Sequence, residues 1–112
     1  MTARLASHVL VGGLIRQAES EGGFGAVIAK GDSTGGTIAV ILAEKGTKAC
    51  FLERMLQPDG SYEWCKSGPA LANAGQFELF LRRRRENDPD LWILELDIAS
   101  AERFAAEMNG RG

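Results

Sequence analysis

The chain has 112 residues, 45% of them hydrophobic and 25% charged, and carries a net charge of −2. That length suits one domain over residues 1–112, able to hold a core without metals or disulfides, and the balance excludes bulk disorder. The slight negative charge argues against a whole surface that grips nucleic acid, which needs a strongly basic face, but leaves room for a local basic patch.

The start, MTARLASHVLVGGLIRQ, has one early arginine and no cleavage-like small-residue pattern, so it reads as a mature N-terminus. Ser7 is a suitable N-cap. Val9, Leu10, Leu14, Ile15 and Ala18 then recur at helical spacing, which predicts a helix over about 8–20 ending at Gly22-Gly23. Gly12-Gly13 interrupts it at about 1 kcal/mol per glycine. Close packing of the helix on a sheet is the expected reason.

Residues 24–31 and 36–44 are rich in Val and Ile and too short for separate helices. GDSTGG between them has turn composition and reads as a hairpin loop. Strands over 47–55 and 61–68 follow, joined by Gln-Pro-Asp-Gly, which suits a type I turn closed by a left-handed glycine. Residues 24–68 therefore predict four successive antiparallel strands. The period then changes. Leu71, Ala74, Phe77, Phe80, Leu81 and the stem of Arg84 predict a helix over about 70–86, stopped by Pro89. A strand over 91–98 places Trp92, Leu94, Leu96 and Ile98 in the core, and Ser100 caps a short helix over 101–108. The order α-β-β-β-β-α-β-α predicts an α+β fold. Its sheet is mostly antiparallel and five-stranded, a β-meander plus one C-terminal strand, with two main helices and a short C-terminal one, all on one side.

Arg4-Leu5, Ser7, Gly31-Asp32 and Asp88-Pro89-Asp90-Leu91-Trp92, in that order, resemble the pattern of a bacterial family known as domain of unknown function 1491, associated with alphaproteobacteria. The likeness runs from about residue 3 to residue 97. It departs at Gly12-Gly13, where bulkier residues are expected, and in the alanine-rich tail after residue 98. The resemblance implies a small cytoplasmic protein and supplies no activity, substrate or catalytic residue.

The residues themselves hold no complete catalytic set. His8 is the only histidine and sits where a surface polar residue is ordinary. No His, Cys, Asp or Glu cluster has metal spacing, so neither a metal nor another cofactor is implied. Pro89-Asp90 followed by Glu95-Leu96-Asp97 approaches a metal-dependent nuclease pattern but lacks its lysine. GDSTGG lacks the lysine, hydroxyl and helix of a phosphate-binding loop. Cys50 and Cys65 are too few for a disulfide framework and read as small buried thiols. They share a face if the loop between their strands has two residues and lie on opposite faces if it has three with a bulge at Gly60, the arrangement Pro-Asp-Gly favours. Arg82 to Arg85 fan around a helix at about 100° per residue and cannot all meet one ligand. Arg84 shares the row of Phe77, Phe80 and Leu81, so its stem packs on the core and its head reaches out.

The reading that fits is a non-enzymatic interaction module in the cytoplasm, thiols reduced, with no membrane segment. A homodimer is one form it could take, because TIAVILA is apolar on both faces and a sheet of that kind needs a second cover. The alternative is a small enzyme or nucleic-acid-linked protein using the region from Arg82 to Asp90, with Arg82, Arg83, Arg85, Asp88 and Asp90 as the candidate binding surface. A third reading is a small-ligand carrier with a pocket between helix and sheet.

Overall fold

The computed structural model describes residues 6–69 and 74–110. Its elements come in the expected order: α1 (Ser7–Ser20), β1 (Phe24–Ala29), β2 (Ile38–Glu44), β3 (Thr47–Leu56), β4 (Tyr62–Lys66), α2 (Ala74–Asn87), β5 (Trp92–Asp97) and α3 (Ala101–Gly110). The fold is α+β, with one five-stranded sheet and three helices. Leu71 lies outside the described residues.

The pairing differs from the expectation. Strand order is β1-β5-β2-β3-β4, so only β2, β3 and β4 form a meander. β5 enters between β1 and β2, antiparallel to the first and parallel to the second. The sheet is therefore mixed and not mostly antiparallel, and GDSTGG is no hairpin loop, since the strands on either side of it do not pair. The physical reason lies in burial. β2 is buried along six of its seven residues and β5 along four of six, whereas β1 is largely exposed. Strands apolar on both faces take the centre of a sheet, and the weakest one is left at the edge.

Both faces are covered, which corrects the placement of the helices on one side. Val11 and Ala18 of α1 and Ala101 and Phe104 of α3 pack on Ile38, Val40, Leu42, Leu52, Trp92, Leu94 and Leu96. Phe77, Phe80 and Leu81 of α2 pack on the opposite face, against Ile41, Phe51 and Ile93. Phe51 meets Phe77 and Phe80 edge-on, with ring centroids 5.4 and 5.5 Å apart. The second cover for the doubly apolar TIAVILA is thus α2 of the same chain. Among the described residues no helix is long and apolar enough to cross a membrane.

Arg4-Leu5 lie outside the described residues, but Ser7, Gly31, Asp32, Asp90 and Trp92, which also carry the family resemblance, meet at one junction. Gly31 and Gly36 pass so close to the Asp90 carbonyl that a Cβ on either would sit about 2.0–2.1 Å from its oxygen. Only glycine fits there. Asp32 N–H donates to Asp90 O, and the Trp92 indole donates to Asp32 O at 2.7 Å. Ser7 is not the N-cap. It lies inside α1, buried, and its hydroxyl donates to Gly36 O at 2.6 Å. The first N–H groups of α1, Ser7 and His8, donate to Thr34 O and Ser33 O. The loop backbone thus does the work a side-chain cap would do, and it occupies the donors a phosphate would need.

Elsewhere local chemistry matches the expectation. The β3–β4 loop closes with Gln57 N–H on Ser61 O and a left-handed Gly60, so three residues form the turn and Gly60 makes the bulge. That register sets Glu53 opposite Cys65 and puts Cys50 and Cys65 on opposite faces. Cys50 is buried; Cys65 is only half-buried, contrary to the expectation of two buried thiols. The β2–β3 turn is Lys45-Gly46, both with positive φ, and the Asp97 carboxylate accepts both of its N–H groups at 3.1 and 2.8 Å. Ser100 caps α3 through Arg103 N–H.

Candidate functional site

Of the five residues of the candidate surface, Arg85, Asp88 and Asp90 meet at the turn after α2, while Arg82 and Arg83 stand apart from it. Arg85 donates to the carbonyls of Pro89 and Leu91 at 2.9 and 2.7 Å, so its head fastens the end of α2 to the turn after it. Asp88 accepts from Asp90 N–H within that turn. Asp90 is exposed but lends its carbonyl to the GDSTGG junction. Arg82 and Arg83 are exposed on separate sides of the helix. The head of Arg84, expected to reach outward, turns inward instead. It holds the buried Glu53 carboxylate at 2.6 and 3.3 Å, and Ser67 donates to the same carboxylate at 2.9 Å. The sheet demanded this. Glu53 sits on the face of β3 that α2 covers, and a buried carboxylate needs a charged partner.

The concave feature lies elsewhere. α1 rests on β1 and β5, while α3 rests on β4 and β2. The two helices therefore leave part of the sheet between them uncovered, above β3 and β4. The result is an open groove of about 1110 Å³. Val9, Leu10, Gly13 and Leu14 of α1 form one wall, Tyr62 and Trp64 of β4 the floor, and Met108 and Asn109 of α3 the far wall. Arg16, Gln17, Arg54 and Glu63 edge it with both signs of charge. The Arg54 guanidinium stacks 4.0 Å over the Tyr62 ring, a cation–π contact that orients both side chains. A smaller hollow of about 300 Å³ shares Arg54 and Tyr62 and runs toward Ser7 and Gly36.

Of the glycine pair, Gly13 lines the groove and Gly12 does not. α1 is continuous through Gly12-Gly13, so the glycines do not break it. The expected close packing on the sheet is not found either: a Cβ at Gly13 would meet nothing within 4 Å, and one at Gly12 would meet only the Arg16 guanidinium, at 3.3 Å. Gly13 leaves space on the groove wall where any other residue would fill it. The anomaly was visible in the sequence. Its meaning was not, because Trp64 and Met108, which face it, lie far along the chain.

Asn109 closes the far end. Its side-chain carbonyl accepts Trp64 N–H at 2.7 Å and its amide donates to Trp64 O at 2.9 Å, so one side chain occupies the outer edge of β4 as a neighbouring strand would. Among the described residues no group of three or more His, Cys, Asp or Glu side chains could hold a metal ion.

The family model described as "Protein of unknown function (DUF1491)" matches residues 5–106. No curated protein sequence matches the chain. Its fold is similar to the crystal structure of a DUF1491 family protein from Caulobacter crescentus CB15, with a TM-score of 0.79 and 25% identity over 90% of this chain and 94% of that one. An NMR structure of a DUF1491 family protein from the same organism is similar at a TM-score of 0.77, with 26% identity over 92% and 94%. A solution structure of a protein from A. tumefaciens is similar at 0.70, with 25% identity over 91% and 92%. With nearly its whole length matched, the chain belongs to the DUF1491 family.

Proposed function

We propose that the chain is a non-enzymatic interaction module and that the groove takes a short amphipathic segment of a partner protein. The observation that carries this reading is Gly13, a costly residue inside a helix whose absent side chain leaves the groove wall open. The α1 wall from Val9 to Gln17 runs about 12 Å at 1.5 Å per residue, roughly two turns of a docked helix. A rim with both Arg16 and Glu63 suits a polypeptide better than a ligand with one charged head. A cytoplasmic setting, with both thiols reduced, fits this reading. The surface from Arg82 to Asp90 suits it less, because Arg85 and Asp88 are already held by the turn.

The test is a displayed library of amphipathic helical peptides, selected on the wild-type chain. Gly13→Leu fills the groove and removes a helix-weakening glycine, so it blocks binding without weakening the fold. Selected peptides should bind Gly13→Leu at least about tenfold more weakly, or 1.4 kcal/mol. A library that yields no binder, or binders indifferent to Gly13→Leu, contradicts the reading.

A further inference from the structure

The two edges of the sheet are treated differently. The outer edge of β4 is occupied at Trp64 by the Asn109 side chain, and Glu63 and Lys66 flank it with charge. The outer edge of β1 has neither device. Its sequence, FGAVIA, contains no charged residue and no proline. Among the described residues no side chain bonds to its backbone. It also concentrates exposed apolar surface: Phe24 is 63% exposed, Ile28 53% and Val27 44%. Natural proteins blunt an edge of this kind or pair it, because a row of unpaired N–H and C=O groups beside apolar side chains recruits another strand.

We infer that β1 pairs antiparallel with β1 of a second copy of the chain, across a two-fold axis at Ala26, joining two sheets into one. The strand is complementary to itself. A two-fold axis normal to the sheet keeps side chains on their own face, so each residue must oppose one of the same parity, and the axis passes midway between the two copies of one residue. Centred on Ala26, the register sets Phe24 against Ile28 of the partner subunit and Gly25 against Val27 of the partner subunit. The large side chains meet or fall opposite a glycine. Gly25 itself cannot carry a side chain, since a Cβ there would lie 2.7 Å from Leu96 Cδ2. In the β1–β5 pairing Ile28 is the extra residue of a bulge between Val27 and Ala29, so the regular overlap is Gly25, Ala26 and Val27, and the contact of Phe24 with the partner's Ile28 falls at its irregular end. The paired segment carries no charge of either sign, so no like charges oppose each other across the axis. This surface is at the opposite edge of the sheet from the groove, and the inference stands independently of what the groove binds.

Sedimentation equilibrium over a range of concentrations reads the outcome. The wild-type mass should rise with concentration toward twice the 12.1 kDa of one chain. Ala26→Lys sets two ammonium groups opposite each other at the axis, on an exposed position that the monomer does not need. It should return the mass to that of one chain with an unchanged circular dichroism spectrum. In a Cys50→Ser, Cys65→Ser background, Ala26→Cys should cross-link to a dimer under mild oxidation, because directly opposed Cβ atoms lie about 4.5–5.5 Å apart. Phe24→Cys, opposite Ile28, should not. A wild-type mass of one chain at every concentration overturns the inference. So does an Ala26→Lys variant that still dimerises, or Phe24→Cys cross-linking as readily as Ala26→Cys.

Discussion

Gly13→Ala isolates the feature on which the groove depends. Alanine is favoured over glycine in a helix interior by about 1 kcal/mol, through lower conformational entropy in the unfolded chain. That gain is realised only if the new methyl group finds room, and at Gly13 nothing lies within 4 Å of it. At about 2.1 cal/mol/K of unfolding entropy per residue, a chain of this length loses about 0.24 kcal/mol per degree at its midpoint, so Tm should rise by about 4 °C. Gly12→Ala should rise by less, because the Arg16 guanidinium must give way. Gly25→Ala should fall, since the methyl group would meet the buried Leu96 at 2.7 Å and Ile15 at 3.1 Å; overpacking of this kind costs about 1–3 kcal/mol. Calorimetry on the three variants measures the signs directly. A Tm lowered by Gly13→Ala would mean that the position is packed, and the open wall of the groove would be refuted.

Arg84→Ala should cost about 2–4 kcal/mol in urea denaturation, because it strands the buried Glu53 carboxylate, whereas Arg82→Ala and Arg83→Ala should stay within about 0.5 kcal/mol. Equal effects from all three would mean that the Glu53–Arg84 pair contributes nothing in solution. Asp97→Ala should lower stability by about 1–2 kcal/mol by removing the acceptor for both N–H groups of the Lys45-Gly46 turn, and Lys45→Asn should recover part of it, since asparagine tolerates the φ of 50° found there. A thermal melt unchanged by Asp97→Ala would show that the turn holds without it. Burial pushes the Cys50 thiol above its ordinary range, with Lys66 pulling weakly the other way, so at neutral pH it is held in the unreactive protonated form. Iodoacetamide should therefore label Cys65 well before Cys50 in the native protein and lose that preference in denaturant; native labelling of Cys50 first, read by mass spectrometry, would contradict the packing.

Local pattern made the elements legible, and their order is as expected from Ser7 to Gly110. Pairing was less legible, because which strand sits beside β1 is decided by burial across the whole sheet. A cue existed in LWILELDI, where Leu91 and Ile93 are apolar on the face opposite Trp92 and Leu94. That doubled pattern marks a central strand, and β5 is one. Four of the residues behind the family resemblance turn out to hold the fold together: Ser7, Gly31, Asp90 and Trp92, with Gly36 beside them, lock one loop onto the start of α1 and β5. The arginine run read correctly as a fan. The inward turn of Arg84 depended on Glu53, thirty-one residues away and itself unremarkable in sequence. The groove followed the same logic, with Gly13 legible as an oddity and Trp64 and Asn109 legible only once α3 lay against β4.

The most direct measurement is amide chemical-shift mapping of the labelled chain during titration with a peptide selected on it. The largest shifts should fall on Gly13, Leu14, Trp64 and Asn109, with the Trp64 indole among them, and the segment from Arg82 to Asp90 should stay still. Shifts gathered on Arg82, Arg83 and Asp90, with α1 and β4 unmoved, would contradict binding in the groove.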